Sequence, residues 1–139
     1  MTAGGPRFSK MRVVVAIVLA EALPIVLLFA IVFAYGAVRQ KDSLSPAEFA
    51  PLAGNWVGPI GGFLATFLLA WWAARSAQKQ KVAHGAIVGV GTAVLDLGLG
   101  MLLGGAAAIR PIFFVSNAGR ILAGLLGGWL ATRSSVRGS

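Results

Sequence analysis

The sequence predicts an all-α integral membrane bundle of four transmembrane helices, and three observations carry that prediction. Hydrophobic residues make up 58% of the chain and charged residues 12%, with a mean hydropathy of +0.84, too apolar for a dissolved globular domain of this size. Four runs, residues 13–36, 52–74, 84–108 and 111–132, are continuously apolar for at least the roughly 20 residues that a helix needs to cross a hydrocarbon core. Gly accounts for 19 of 139 residues and falls inside those runs, as it does in closely packed membrane helices. Barrel strands would alternate polar and apolar residues over about ten positions, and these runs do not. Residues 1–139 therefore read as one transmembrane domain.

The first span follows Arg7, Lys10 and Arg12. It is longer than the roughly 7–15 residues of a signal h-region, so it reads as a retained helix. It has no Gly before Gly36 and is built from Val, Ile, Leu and Phe, which predicts a peripheral helix or one reserved for a partner chain. Glu21 lies inside it, and Pro24 removes the N–H that would have bonded the Ala20 carbonyl. A neutral acid bonded to that carbonyl is the quiet expectation for Glu21. A proton, ion or partner site is the functional one, and competition for a basic residue elsewhere in the membrane is a third.

The loop of residues 37–51 contains Ser45-Pro46-Ala47-Glu48, a capping box with Pro at the first helical position. It predicts a short helix that Pro51 ends, either a simple cap or an outer lid. The second and fourth spans resemble each other: residues 61–77 and 119–135 share eight identities in 17 positions at an offset of 58, including Trp71 with Trp129 and Arg75 with Arg133. This suggests a parallel repeat of two helical hairpins. Asn55 and Asn117 fall in the outer halves of those spans, as helix caps, interhelical bonds or an outward-facing polar vestibule.

Glycines four apart mark faces where backbones approach closely: Gly58 with Gly62, Gly85 with Gly89, Gly100 with Gly104, and Gly124 with Gly128. On the third span Gly85, Gly89, Thr92, Asp96, Gly100 and Gly104 share one stripe. Arg120 shares a stripe of the fourth span with Asn117 and Gly124. At 1.5 Å per residue, Asp96 lies about 18 Å beyond His84 and Arg120 about 19 Å beyond Arg133, so the two reach similar depth. A lone Arg at mid-bilayer costs at least about 2.5–3.5 kcal/mol. An Asp96–Arg120 ion pair in a dry, glycine-lined seam is therefore expected, with Thr92, Asn117 or a backbone carbonyl in support, either as a structural clamp that fixes the hairpin's register or as a substrate, ion or lipid-phosphate site using Arg120. His84 reads as an interfacial residue.

Lys and Arg set the orientation. Eight (Arg7, Lys10, Arg12, Arg75, Lys79, Lys81, Arg133 and Arg137) would share the side of both termini, against Arg39, Lys41 and Arg110 opposite. That bias predicts N-in, C-in topology, with Trp71, Trp72 and Trp129 near the inner interface and Tyr35 and Trp56 near the outer one. The net charge of +8 then reflects topology and attraction to anionic lipid on the cytoplasmic side. It does not indicate nucleic acid, since no basic surface interleaved with aromatics lies outside the spans. There is no Cys and one His, so no metal-ligand spacing arises, no cofactor motif is present, and no nucleophile, base and acid gather into a catalytic set.

Around AARSAQKQKVAHGAIVGV, with His84 and Gly85 opening the third span and Gly89 four residues on, the chain resembles a group of small bacterial four-span membrane proteins. The resemblance implies a multi-pass protein of the bacterial cytoplasmic membrane and brings no assigned activity with it. Two functions are consistent with the sequence. One is a non-enzymatic packing or accessory subunit of a membrane complex or homo-oligomer, joined through the first helix. The other is a small oligomeric ion- or proton-coupled transporter or channel using the intramembrane acids.

Overall fold

The computed structural model describes residues 7–41, 43–77, 79–105 and 110–136. Within them the chain forms α1 (Arg7–Val38), α2 (Pro46–Trp56), a π-helical turn (Val57–Gly61), α3 (Gly62–Arg75), α4 (Lys81–Gly104) and α5 (Pro111–Val136). Because α2, the π turn and α3 run on without a break as Pro46–Arg75, the described residues contain four helical spans, each long and apolar enough to cross a membrane.

The element ends follow local chemistry. Ser45 caps α2: its side chain accepts from the Glu48 amide while the Glu48 carboxylate accepts from the Ser45 amide at 2.8 Å. The short loop helix expected there is instead the first part of the second span. Pro51 removes a single backbone bond, the one to the Ala47 carbonyl, and the helix continues through it. At the far end of α4, Gly105 takes φ 59°, a left-handed conformation open to glycine, and the helix stops at Gly104. The expected end at residue 108 falls outside the described residues.

With four spans, α1 and α4 lead away from the end of the bundle that holds the chain termini, and α3 and α5 lead back to it. We call the half nearest the termini the terminal half and the other the distal half. α5 is central, packed against α4 on one side and α3 on the other, with α1 lying across α3 and α4.

In the terminal half the α4–α5 seam is backbone on backbone. A Cβ on Gly85 would stand 2.3 Å from the Gly124 carbonyl oxygen, and one on Gly128 would stand 2.8 Å from the Lys81 carbonyl oxygen. Gly89 meets Arg120 and Gly124 in the same way. Gly127 makes the equivalent approach to α3, where its Cβ would lie 2.5 Å from the Phe67 carbonyl oxygen. Ala70, Ala73, Val88, Thr66, Thr92 and Ala123 fill the remaining space, all buried. Small residues permit this closeness, and dispersion across it holds helices together where lipid removes the hydrophobic drive.

α1 lies at the edge of the bundle with Val14, Val18, Phe29 and Phe33 exposed, yet one face of it packs closely despite the lack of glycine. Val13, Ala16, Ala20 and Glu21 are buried, and the Ile17 side chain occupies the notch at Gly91, where a Cβ would lie 2.4 Å from it. Ala16 and Ala20 provide the smooth face that glycine provides elsewhere, and the missing Cβ is on the partner helix.

The distal half is looser. A Cβ on Gly58 or Gly98 would meet nothing within 4 Å, and Gly100 faces only the Phe113 ring, at 3.2 Å. Gly104 is exposed. Gly58, Gly98 and Gly104 therefore do not act in a helix seam, because the helices facing them have diverged. Of the expected pairs Gly58–Gly62 and Gly100–Gly104, Gly62 alone is closely covered, by the Arg120 side chain and not by backbone. The hairpin between α1 and α2 is held instead by Tyr35, which stacks on Phe49 with centroids 3.9 Å apart and donates to the Leu44 carbonyl at 3.0 Å.

Candidate functional site: a charged cluster at mid-bundle

Arg120 enters the middle of the bundle from α5 and is 3% exposed. It is admitted by Gly62 on α3: a Cβ there would stand 2.8 Å from Nε and 3.0 Å from Nη2, so the guanidinium rests directly on the glycine backbone. Gly62 begins α3 immediately after the π-helical turn, and such turns alter the helical phase locally, often beside functional groups.

Two carboxylates converge on this one guanidinium. Glu21, from α1, accepts a hydrogen bond from Nη1 and forms the direct ion pair, with its side chain 7% exposed. Asp96, from α4, places Oδ1 3.6 Å from Nη2, within ion-pair reach but beyond a hydrogen bond, and its side chain is 17% exposed. Asn117 donates to Asp96 Oδ2 at 2.9 Å and to the Phe113 carbonyl at 3.0 Å.

Two expectations require correction here. Glu21 is bonded to Arg120 and not to the carbonyl freed by Pro24. Arg120 sits nearer to α1 than the sequence suggested, because the Ala16 and Ala20 face brings Glu21 inward. The Asp96–Arg120 contact is also not the dry pair expected. Asp96 and Arg120 both line a cleft of about 130 Å³, together with Gly54, Asn55, Gly58, Pro59, Ile112, Phe113 and Ser116. All of these except the two charged residues belong to the loosely packed distal half. Asn55, at its edge, is exposed.

Thr92 lies one turn toward the terminal half. It donates to the Val88 carbonyl at 2.7 Å, closing on its own helix and not on the charges. His84 is at the far terminal end, with its ring nitrogen 3.0 Å from the Gln80 carbonyl oxygen. Among the described residues no group of three His, Asp or Glu side chains could hold a metal ion. The aligned positions of the two similar segments carry one shared contact, since Arg75 stacks over Trp71 at 4.7 Å and Arg133 over Trp129 at 3.9 Å. Arg12 over Trp72, at 5.6 Å, adds a third at the same end.

The arrangement has a stoichiometry that a simple clamp lacks. With both acids ionised, two negative charges face one positive charge, and the remaining charge in a low-dielectric interior calls for a proton or a cation. The cleft reaches Asp96 and Arg120 among residues of the distal half. No family model matches this sequence, and neither a curated protein nor a solved structure is found to be similar to it.

Proposed function

We propose that this chain is a small multi-pass protein of the bacterial cytoplasmic membrane that binds and carries a proton or cation at the Glu21–Arg120–Asp96 cluster. The observation that carries the reading is a second carboxylate, in excess of what Arg120 needs, at the floor of a cleft that opens on one half of the bundle while the other half is closed by backbone contact. Such half-access to a mid-membrane charge is what a carrier requires in one of its states. Positive charge favours both termini on the cytoplasmic side, next to anionic lipid, so that the cleft faces outward. Four helices that close tightly at one end leave passage through that end to a rearrangement of the seam or to a second copy of the chain.

The role of accessory subunit is the outcome to set against this one, since it asks nothing of the excess acid. The test is flux into proteoliposomes holding a pH-sensitive dye, driven by proton or sodium gradients. Flux by the natural chain that disappears in Asp96→Asn, with helicity and melting retained, supports transport. A folded protein that moves neither ion and co-purifies in fixed ratio with another membrane subunit favours the accessory role. Asp96→Asn is chosen over Glu21→Gln because loss of Glu21 removes the direct partner of a buried guanidinium.

A further inference from the structure

We infer that the cleft is a binding site for one small monovalent cation, and that the two acids divide their roles: Glu21 holds Arg120, while Asp96 receives the cation. This deepens the transport reading and rests on it.

The division follows from access. Glu21 is on the guanidinium, nearly sealed, and absent from the cleft lining, whereas Asp96 is more exposed and forms part of the lining. Oxygen valence points the same way. Asp96 Oδ2 accepts from Asn117, but Oδ1 lies 3.6 Å from the nearest guanidinium nitrogen, too far for a hydrogen bond from Arg120. Beside it, Asn117 has committed both amide protons, one to Asp96 and one to the Phe113 carbonyl, while its Oδ1 is buried with no donor. Turning that amide over would set its oxygen against a carboxylate and a carbonyl, so the orientation is fixed. Asn117 Oδ1 thus lacks a donor beside Asp96, as Arg120 Nε lacks an acceptor. With both acids ionised the cluster carries one negative charge in excess, and that charge selects a cation over an anion.

Charge and size narrow the class. One excess charge is balanced by a monovalent ion and over-balanced by a divalent one. The cleft, at about 130 Å³, is several times what one water needs and suits an alkali ion with residual water, or an ammonium or methylammonium ion. Pro59, Ile112 and Phe113 give it apolar walls, and Asn55 and Ser116 add polar groups.

The experiment uses the full chain purified in detergent and melted at constant ionic strength, with sodium, ammonium or methylammonium chloride replacing tetraethylammonium chloride, whose cation is too bulky for the cleft. The expected result is a saturable rise in Tm with at least one small cation. Asp96→Asn should lose the rise. Gly58→Leu, whose added side chain enters open cleft space, should lose it at unchanged starting Tm. Glu21→Gln should melt lower and, because it also removes the excess charge while leaving the Asp96 oxygens in place, show a weakened rise where Asp96→Asn shows none. An equal rise in Asp96→Asn or Gly58→Leu overturns the assignment, as does the absence of any difference from tetraethylammonium. In that last case, proton flux in proteoliposomes would leave the transport reading standing without this site. Saturable cation binding without flux would keep the site and end the transport reading.

Discussion

Gly85 and Gly58 belong to identical four-residue glycine spacings, yet they live in opposite halves of the bundle. At Gly85 the next helix lies against the backbone, and at Gly58 there is open space. Spacing marks a face that permits close approach, but the partner's own surface decides whether approach occurs. Opposite Gly85 and Gly89 the α5 positions Gly124 and Gly128 are themselves small, and Ala70 and Ala123 are buried in the same half. In the distal half the opposing residues are larger, as with Phe113 against Gly100, and the π-helical turn shifts the phase of the second span. The helices part there, and the gap is the cleft.

The largest effect should come from filling the closed side. Gly85→Leu forces a side chain into the α4–α5 backbone and should cost more than the roughly 3 kcal/mol typical of severe overpacking, seen as loss of a cooperative melt in detergent. Gly58→Leu should leave the melt unchanged. Equal destabilisation by the two would erase the distinction between the halves.

The next effect separates the two acids. Glu21→Gln strands a buried guanidinium and should cost about 3–5 kcal/mol, whereas Glu21→Gln combined with Arg120→Gln should recover much of that loss. Asp96→Asn keeps an oxygen for the Asn117 amide and removes the excess charge, so it should be far milder. A double-mutant cycle from denaturant melts reads the coupling. Stronger coupling of Arg120 to Asp96 than to Glu21 would reverse the assignment.

Gly62→Ala probes the boundary between the halves. Its methyl would meet Arg120 Nε at 2.8 Å, and moving the guanidinium should cost about 1–3 kcal/mol. The measurable sign is a change in the cation dependence of melting larger than Gly58→Ala produces. Smallest of all, Trp129→Leu removes the ring under Arg133 and should cost about 0.5–1 kcal/mol. Trp71→Leu should cost about the same if the two similar segments are equivalent.

The bundle was legible because length and apolarity alone define spans, and Asp96 and Arg120 could be set at one depth by counting residues. The α4–α5 seam was legible for the same reason, since Gly85, Gly89, Gly124 and Gly128 lie on single stripes. Glu21 as the direct partner of Arg120 was harder to read. It depends on α1 leaning inward on Ala16 and Ala20, and on Gly91 accepting Ile17, a pairing of a notch on one helix with a side chain on another that no single-helix pattern encodes. The cleft was hidden too. It lies beside the π-helical turn at Val57–Gly61, where the sequence offered Gly58 only as half of a packing pair with Gly62.

The claim beneath these comparisons is that water reaches Asp96 from the distal half and stops there. The chain has no Cys, so single cysteines can be introduced without background and labelled in liposomes with a membrane-impermeant thiol reagent. Asn55→Cys, Gly58→Cys and Ile112→Cys should react readily from one side, and Thr66→Cys, Val88→Cys and Ala123→Cys should remain unlabelled from both. Labelling of the second set at rates comparable to the first, or protection of the first set, would contradict the account.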